Sequence, residues 1–116
     1  MPLPRPNLYP PFHVVRLSHI ELLVTDLARS KAFWADTLGL QVTHEDSELI
    51  TLRAMEERNH HCIVLRGAEQ PAASHLGFKV YSEEDLDKAH AYFSAKGVKV
   101  EWVERRWQGR TLRTAD

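Results

Sequence analysis

The chain contains very little cysteine: Cys62 is the only one among 116 residues. One thiol cannot form an internal disulfide, so we expect a protein of a reducing compartment and place it in the cytoplasm. No apolar run approaches the ~20 residues that a transmembrane helix needs. The N-terminus also lacks the charged and apolar regions of a secretory signal. The sequence therefore predicts no membrane partner.

The chain also lacks an excess of charge of either sign. Fifteen Lys and Arg residues face sixteen Asp and Glu residues, for a formal net charge of −1, and the two signs are interspersed. Nucleic acids are bound by a concentrated basic field, which this pattern does not supply. We expect no nucleic-acid partner. The hydrophobic share of 43% suits the core of one compact domain.

Proline is scarce except at the beginning. Residues 1–12, MPLPRPNLYPPF, hold five of the six prolines. Because proline fixes φ and lacks an N–H group, this stretch is expected to be an extended arm. It is either a loosely draped terminus or an arm that packs on a partner subunit or domain.

The remaining residues, 13–116, predict a single domain made of two similar units, at about 17–67 and 74–116. Each unit begins with a Ser-His pair and an apolar strand, SHIELLV in the first and SHLGFKV in the second.

A helix follows in each unit; Asp26 is predicted to cap the first and Ser82 the second, and Gly39 and Gly97 end them. Leu27, Trp34 and Leu38 form the apolar stripe of the first helix. Three antiparallel strands, at about 40–42, 49–53 and 61–66, complete the first unit, and two further strands complete the second. We therefore predict an α+β fold of two βαβββ units, the second without its last strand, in a curved mixed sheet with helices outside.

His19 and His75 occupy the same position in the two units. Side chains alternate along a strand, so each histidine lies opposite the apolar face that carries the following helix. Two imidazoles and one carboxylate form the ligand set of many non-haem Fe(II) sites. His19 and His75 are therefore the candidate metal ligands. Glu21 is the nearest carboxylate but shares a strand with His19, and we do not expect it to be a ligand.

The other histidines carry no predicted role. His60 and His61 are adjacent on a predicted strand and should point to opposite faces, one buried and one exposed, so they should not bind one metal together. The sequence contains no phosphate-binding glycine loop, nucleophile elbow or paired-cysteine zinc motif. We assign no catalytic residue, and the substrate-binding residues are unknown.

The stretch SHIELLVTDLARSKAFWADTLGL, residues 18–40, resembles the first βα unit of the vicinal oxygen chelate superfamily, which includes glyoxalases, bleomycin-resistance proteins and extradiol dioxygenases. Residues 74–100 resemble the second such unit. The matching positions of the first unit are His19, Asp26, Leu27, Phe33, Trp34, Leu38, Gly39 and Leu40. Three further segments resemble the N-terminal domain of extradiol ring-cleaving dioxygenases: the proline-rich start, residues 48–67 and the ending RWQGRTLRTAD. The resemblance is to the homoprotocatechuate (3,4-dihydroxyphenylacetate) group in particular.

This resemblance implies the N-terminal, non-catalytic half of a two-domain oxidoreductase of aromatic catabolism, which inserts both atoms of O₂ beside a catechol diol. In that family two His and one Glu of a C-terminal catalytic domain bind Fe(II) or Mn(II). The corresponding Glu would follow residue 116, so we expect this chain to hold no metal and to be inactive alone. The implied partners are a catechol such as 3,4-dihydroxyphenylacetate, the catalytic domain and further copies in a homo-oligomer.

The sequence is also compatible with two other functions. The chain could be a free-standing, metal-dependent enzyme of the glyoxalase or lyase type that uses His19 and His75, with a missing ligand supplied by a paired chain. It could also be a metal-free binding module that uses the cavity on the concave side of the curved sheet.

Overall fold

The computed structural model describes residues 2–115. Met1 and Asp116, the outer ends of the predicted arm and domain, lie outside the described residues. The described chain has the α+β fold that the sequence predicts. Its elements are β1 Val14–Val24, α1 Leu27–Lys31, a π-helical segment Ala32–Thr37, β2 Gln41–Glu45, β3 Leu49–Arg53, β4 Ile63–Gly67, β5 Ala72–Val80, α2 Glu83–Ala95, β6 Val100–Val103 and β7 Thr111–Thr114.

Five strands form a mixed sheet in the order β2-β3-β4-β1-β5. β2, β3 and β4 pair antiparallel, as predicted. β1 pairs parallel with β4, from Ile20 opposite Ile63 to Val24 opposite Gly67. β1 therefore lies inside the sheet, with β4 on one side and β5 on the other.

The core of this sheet lies on the face that the first helix covers. Ile50, Leu52, Ile63 and Leu65 form its buried centre, and Ile20, Leu22, Val24, Leu27 and Trp34 pack against it. Apolar side chains separated by two positions on β1, β3 and β4 meet there because strand side chains alternate between faces. Leu38, which the helical pattern placed on the same stripe as Leu27 and Trp34, is instead 51% exposed.

Local signals start and end the helices where the sequence predicts. The Asp26 carboxylate accepts a hydrogen bond from the Arg29 backbone N–H at 3.0 Å, which caps α1. Ser82 caps α2 by accepting from the Asp85 N–H at 3.4 Å. Gly39 and Gly97 have φ of 81° and 74°, the left-handed conformation that ends many helices and that glycine adopts without strain.

The first helix departs from the prediction in its second half. After Lys31 its hydrogen bonds widen, and the Leu38 N–H bonds to the carbonyl of Phe33, five residues earlier. Such widened turns are short and occur inside longer helices. Trp34 and Ala35 of this segment pack against the core.

The contacts within the chain divide it into two compact units. Residues 17–78 form one unit, and the described residues on either side of them form the other. In the remainder, β6 and β7 form an antiparallel hairpin, and α2 contacts both strands. The end of the arm is anchored on α2: the Phe12 ring packs against the rings of Tyr92 and Phe93 at 5.9 and 5.5 Å between centroids. The His13 N–H also donates to the Asp85 carboxylate at 2.9 Å. No helix of residues 2–115 is both long and apolar enough to span a bilayer.

The first part of the arm is open to solvent. Leu3 and Tyr9 are 92% and 91% exposed, whereas Phe12 is half-buried. Within residues 2–12, the arm is thus anchored at its inner end. That a partner subunit or domain covers its outer part stays a prediction.

Replacing Leu65 with Ala tests the position of the core. Leu65 is fully buried, and truncating such a leucine removes apolar contacts and leaves a cavity. We expect the free energy of unfolding to fall by about 2–5 kcal/mol, measured by urea denaturation. Leu3→Ala is the matched control because it removes the same atoms from an exposed side chain. Equal, small effects of both substitutions would contradict this core.

Candidate functional site

The face of the sheet opposite the core carries polar side chains that are nevertheless buried. On β1, His19 and Glu21 are 7% and 5% exposed. On β3, Thr51 is fully buried, and its hydroxyl lies 2.8 Å from that of Thr43. Buried polar groups need hydrogen-bond partners, and none of the buried side-chain nitrogens and oxygens among residues 2–115 lacks one. This polar face is where the structure brings the predicted site residues together.

His19 and His75 meet on this face, because β5 lies beside β1 in the sheet. Their Nε2 atoms are 3.3 Å apart, and the ring planes are nearly perpendicular, at 87°. The structure thus places the two candidate ligands in contact with each other. Their role as metal ligands stays a prediction.

Gly77 on β5 provides the room that the His19 ring occupies. A Cβ atom built on Gly77 would overlap the His19 ring, with Nδ1 and Nε2 at 2.5 and 2.7 Å. Non-bonded atoms do not approach so closely. Glycine at this position therefore allows the imidazole to lie against the backbone of the neighbouring strand.

The outer nitrogens of both imidazoles also have polar neighbours. His19 Nδ1 lies 3.3 Å from the Ser18 hydroxyl, and His75 Nδ1 lies 3.4 Å from a Glu21 carboxylate oxygen. The other Glu21 oxygen accepts a hydrogen bond from Arg66 Nε at 3.2 Å and lies 3.1 Å from Arg66 Nη2 in an ion pair. Glu21 thus contacts the Nδ1 side of the His75 ring rather than the Nε2 side, which faces His19.

Two histidines that the sequence left without a role extend this cluster. His61 is 6% exposed, and its ring centroid lies 5.2 Å from that of His19. His60 Nδ1 lies 3.0 Å from His61 Nδ1. The prediction that these residues point to opposite faces assumed that they lie on a strand, but β4 begins only at Ile63. The adjacent pair His60-His61 was the sequence feature that could have indicated their part in this cluster.

The cluster shifts the pKa values of two of its members. Burial, with the nearby imidazoles of His19 and His60, lowers the pKa of His61 from 6.5 to about 4. Burial alone would raise the pKa of Glu21, but the Ser74 hydrogen bond and the charges of Arg66 and His75 outweigh it and lower that pKa. At neutral pH, His61 is therefore uncharged and Glu21 is ionised.

The arrangement does not match the two-His, one-carboxylate set of non-haem Fe(II) enzymes. Among the described residues, no three His, Cys, Asp or Glu side chains are placed to hold one metal ion. Glu21 faces Arg66 and the Nδ1 side of His75. What the site offers chemically is two imidazole nitrogens that face each other.

The sequence matches the family model of the Glyoxalase/Bleomycin resistance protein/Dioxygenase superfamily over residues 16–111. This chain belongs to that superfamily. Among characterised relatives, it is 27% identical over 103 residues to the manganese-dependent 2,3-dihydroxybiphenyl 1,2-dioxygenase of Geobacillus genomosp. 3, a match that covers 86% of this chain and 33% of that protein. It is 34% identical over 76 residues to a metapyrocatechase of Pseudomonas sp. strain CF600, covering 65% and 25%.

Solved structures of an extradiol dioxygenase are similar to nearly the whole chain. A variant of homoprotocatechuate 2,3-dioxygenase from B. fuscum superposes with a TM-score of 0.87 at 39% identity, covering 97% of this chain and 32% of that one. The Brevibacterium fuscum enzyme in complex with 3,4-dihydroxyphenylacetate gives 0.84 at 38% identity, covering 96% and 35%. The chain thus spans about a third of the length of these relatives.

Gly77→Ala tests the close approach at the site. The added methyl group must displace the buried His19 ring, and we expect a loss of about 1–3 kcal/mol in unfolding free energy, together with shifted NMR signals of the His19 imidazole. Gly109→Ala is the matched control because an added Cβ there meets nothing within 4 Å. If Gly77→Ala leaves both the stability and the His19 signals unchanged, the His19 ring does not lie against β5.

The pH dependence of stability tests the environment of His61. Its pKa is lower in the folded chain than in the unfolded chain, so the unfolded state binds the proton more readily and stability falls as the pH drops from about 6.5 to about 4. Between pH 7 and pH 5 we expect His61 to account for a loss of about 2 kcal/mol. Glu21 stays ionised over this range because its pKa lies below 4.5.

Urea unfolding at the two pH values provides the measurement. His61→Gln should lose less stability on acidification than the original chain, by the amount stated above. His90→Gln is the control, since His90 stacks on Trp102 outside the cluster. Identical pH profiles for the original chain and His61→Gln would show that His61 titrates normally.

Proposed function

We propose that this chain is the N-terminal, non-catalytic domain of an extradiol ring-cleaving dioxygenase of aromatic catabolism, with 3,4-dihydroxyphenylacetate or a related catechol as the substrate of the whole enzyme. The observation that carries the proposal is the similarity to homoprotocatechuate 2,3-dioxygenase. It extends over 97% of this chain, at 39% identity, but over only 32% of that enzyme. A match of this kind is typical of one domain of a larger protein.

The polar face of the sheet supports a non-catalytic role. Extradiol chemistry needs a metal that can be approached by the catechol and by O₂, held by a ligand set that includes a carboxylate. Among residues 2–115, the carboxylate in contact with this histidine pair is that of Glu21, and it is hydrogen-bonded to Arg66. The same point weighs against a free-standing enzyme of the glyoxalase type, which would also need further ligands.

The chemistry would take place in the rest of the enzyme. A C-terminal catalytic domain would hold Fe(II) or Mn(II), which supplies the activation of the catechol and O₂. The domain described here would have a structural role. It would contact the catalytic domain and other subunits of a homo-oligomer. We further propose a cytoplasmic location.

A ring-cleavage assay tests the assignment. The purified chain, incubated with Fe(II) or Mn(II) under anaerobic conditions and then given 3,4-dihydroxyphenylacetate and O₂, should form no yellow ring-opened product. A full-length homoprotocatechuate 2,3-dioxygenase is the positive control. Product formation by this chain that disappears in His19→Ala would show that the domain is itself catalytic and would overturn the proposal.

Sequencing the transcript beyond the codon for Asp116 tests the domain assignment directly. We expect a further pair of βαβββ units in the same reading frame, with two His and one Glu at their ligand positions. A stop codon directly after Asp116 in the native transcript would contradict the proposal.

A further inference from the structure

We infer that the cavity at the bend of the β6–β7 hairpin binds a small aromatic monocarboxylate, with Arg105 as the partner of the carboxylate and Trp102 as the surface for the ring. The inference goes beyond the proposed function, because this cavity is lined by residues between 102 and 111 and shares no side chain with the polar face of the sheet.

The cavity lies where the chain leaves β6 and returns along β7. Its volume is about 690 Å³, and its lining runs from Trp102 to Arg105 and from Gln108 to Thr111. Small-molecule sites in proteins typically measure about 300–1,000 Å³. The space is therefore large enough for one aromatic ring with a short acidic group.

Arg105 is a cation of this cavity for which the described residues supply no counterion. Arg110 also lines the cavity, but it is paired with the Asp87 carboxylate of α2. Within residues 2–115, neither an ion pair nor a side-chain hydrogen bond engages the Arg105 guanidinium, although the residue is half-buried. Partial burial removes some of the water around that guanidinium. A carboxylate that enters the cavity therefore meets a cation that still needs a charge-assisted partner.

Trp102 provides a flat surface for a ring. Its side chain is 43% exposed. The His90 ring of α2 stacks on the indole, with 5.4 Å between the centroids and 3° between the planes. The Arg110 guanidinium lies 4.2 Å from the centre of the indole. These contacts hold the indole in place before a ligand arrives, and its exposed part can pack on a second aromatic ring in an offset or edge-to-face arrangement.

The turn beside the cavity has a strained backbone. The Gln108 N–H donates to the Arg105 carbonyl at 3.3 Å, and Trp107 between them has φ of 60°. This third position of the turn favours glycine, and a bulky residue there is unusual. Residues strained in this way are found most often at ligand-binding and active sites. The turn places Arg105 and Gln108 on the wall of the cavity.

The charges around the cavity favour a ligand with one negative charge. The planar guanidinium of Arg105 matches a carboxylate through two parallel hydrogen bonds. Glu104 also lines the cavity, and its negative charge opposes a second negative charge on the ligand. A phosphate monoester carries about 1.5 to 2 negative charges at neutral pH. It is therefore a poorer ligand for this cavity than a carboxylate.

An NMR titration of the untagged chain with sodium benzoate, at pH 7.5 and constant ionic strength, tests the inference. We expect saturable shifts of the Trp102 indole N–H and Arg105 Nε–H signals. The Trp34 indole, which packs against the core of residues 17–78, is the internal control and should not shift. Acetate, which has the charge alone, and benzyl alcohol, which has the ring alone, should each bind more weakly than benzoate.

Two substitutions with opposite expected effects test the assigned roles. Arg105→Gln removes the positive charge, and we expect the affinity for benzoate to fall by about 10-fold or more, as loss of a charge-assisted hydrogen bond does. Glu104→Gln removes the opposing charge and should raise the affinity by about 2–5-fold. Arg113→Gln is the matched control, because Arg113 is paired with Glu101 across the hairpin and is not part of the cavity lining. It should leave the affinity unchanged.

Three outcomes overturn the inference. They are the absence of saturable shifts at Trp102 and Arg105, undiminished benzoate binding by Arg105→Gln, and equal affinities for acetate and benzoate. Should Arg105→Gln not fold, the exposed Glu104 carries the test, and an affinity of Glu104→Gln that is unchanged or lower also overturns the inference. None of these readouts depends on the ring-cleavage assay, so the inference and the proposed function can fail separately.

Discussion

The position of β1 between β4 and β5 is the constraint on which the rest of the sheet depends. Because both of its edges are paired, β1 lies in the interior of the sheet. Side chains alternate along the strand, so its two faces differ in chemistry. Ile20, Leu22 and Val24 complete the apolar core. His19 and Glu21 lie on the other face, nearly as deeply buried.

Because those polar groups are buried, they must form hydrogen bonds or ion pairs with one another. Glu21 connects the guanidinium of Arg66 to the imidazole of His75, and His19 connects His75 to His61. In a low-dielectric environment such hydrogen bonds are strong, and an unpaired member would be costly. The same contacts that make the polar face stable also orient the two Nε2 atoms toward each other. The stability of the polar face and the relative position of the two imidazoles thus depend on the same side chains.

Much of the fold follows from local signals that act over a few residues. Asp26 and Ser82 cap their helices, and Gly39 and Gly97 end them, because these residues suit the backbone at those positions wherever the helix lies. The predictions from the sequence fail where tertiary contacts determine which side chains are buried. Leu38 fits the helical stripe but is exposed, since the helix widens into a π-helical segment before reaching it.

The sequence by itself determined the α+β class, the repeated strand-helix order and the equivalence of His19 and His75, because side-chain periodicity and capping act locally. Only the tertiary structure decided that their Nε2 atoms lie 3.3 Å apart, that Glu21 bonds to Arg66, and that His61 adjoins His19. Those contacts join residues up to 56 positions apart. They depend on the lateral order of the strands and on the place where β4 begins, which the alternation within a single strand does not specify.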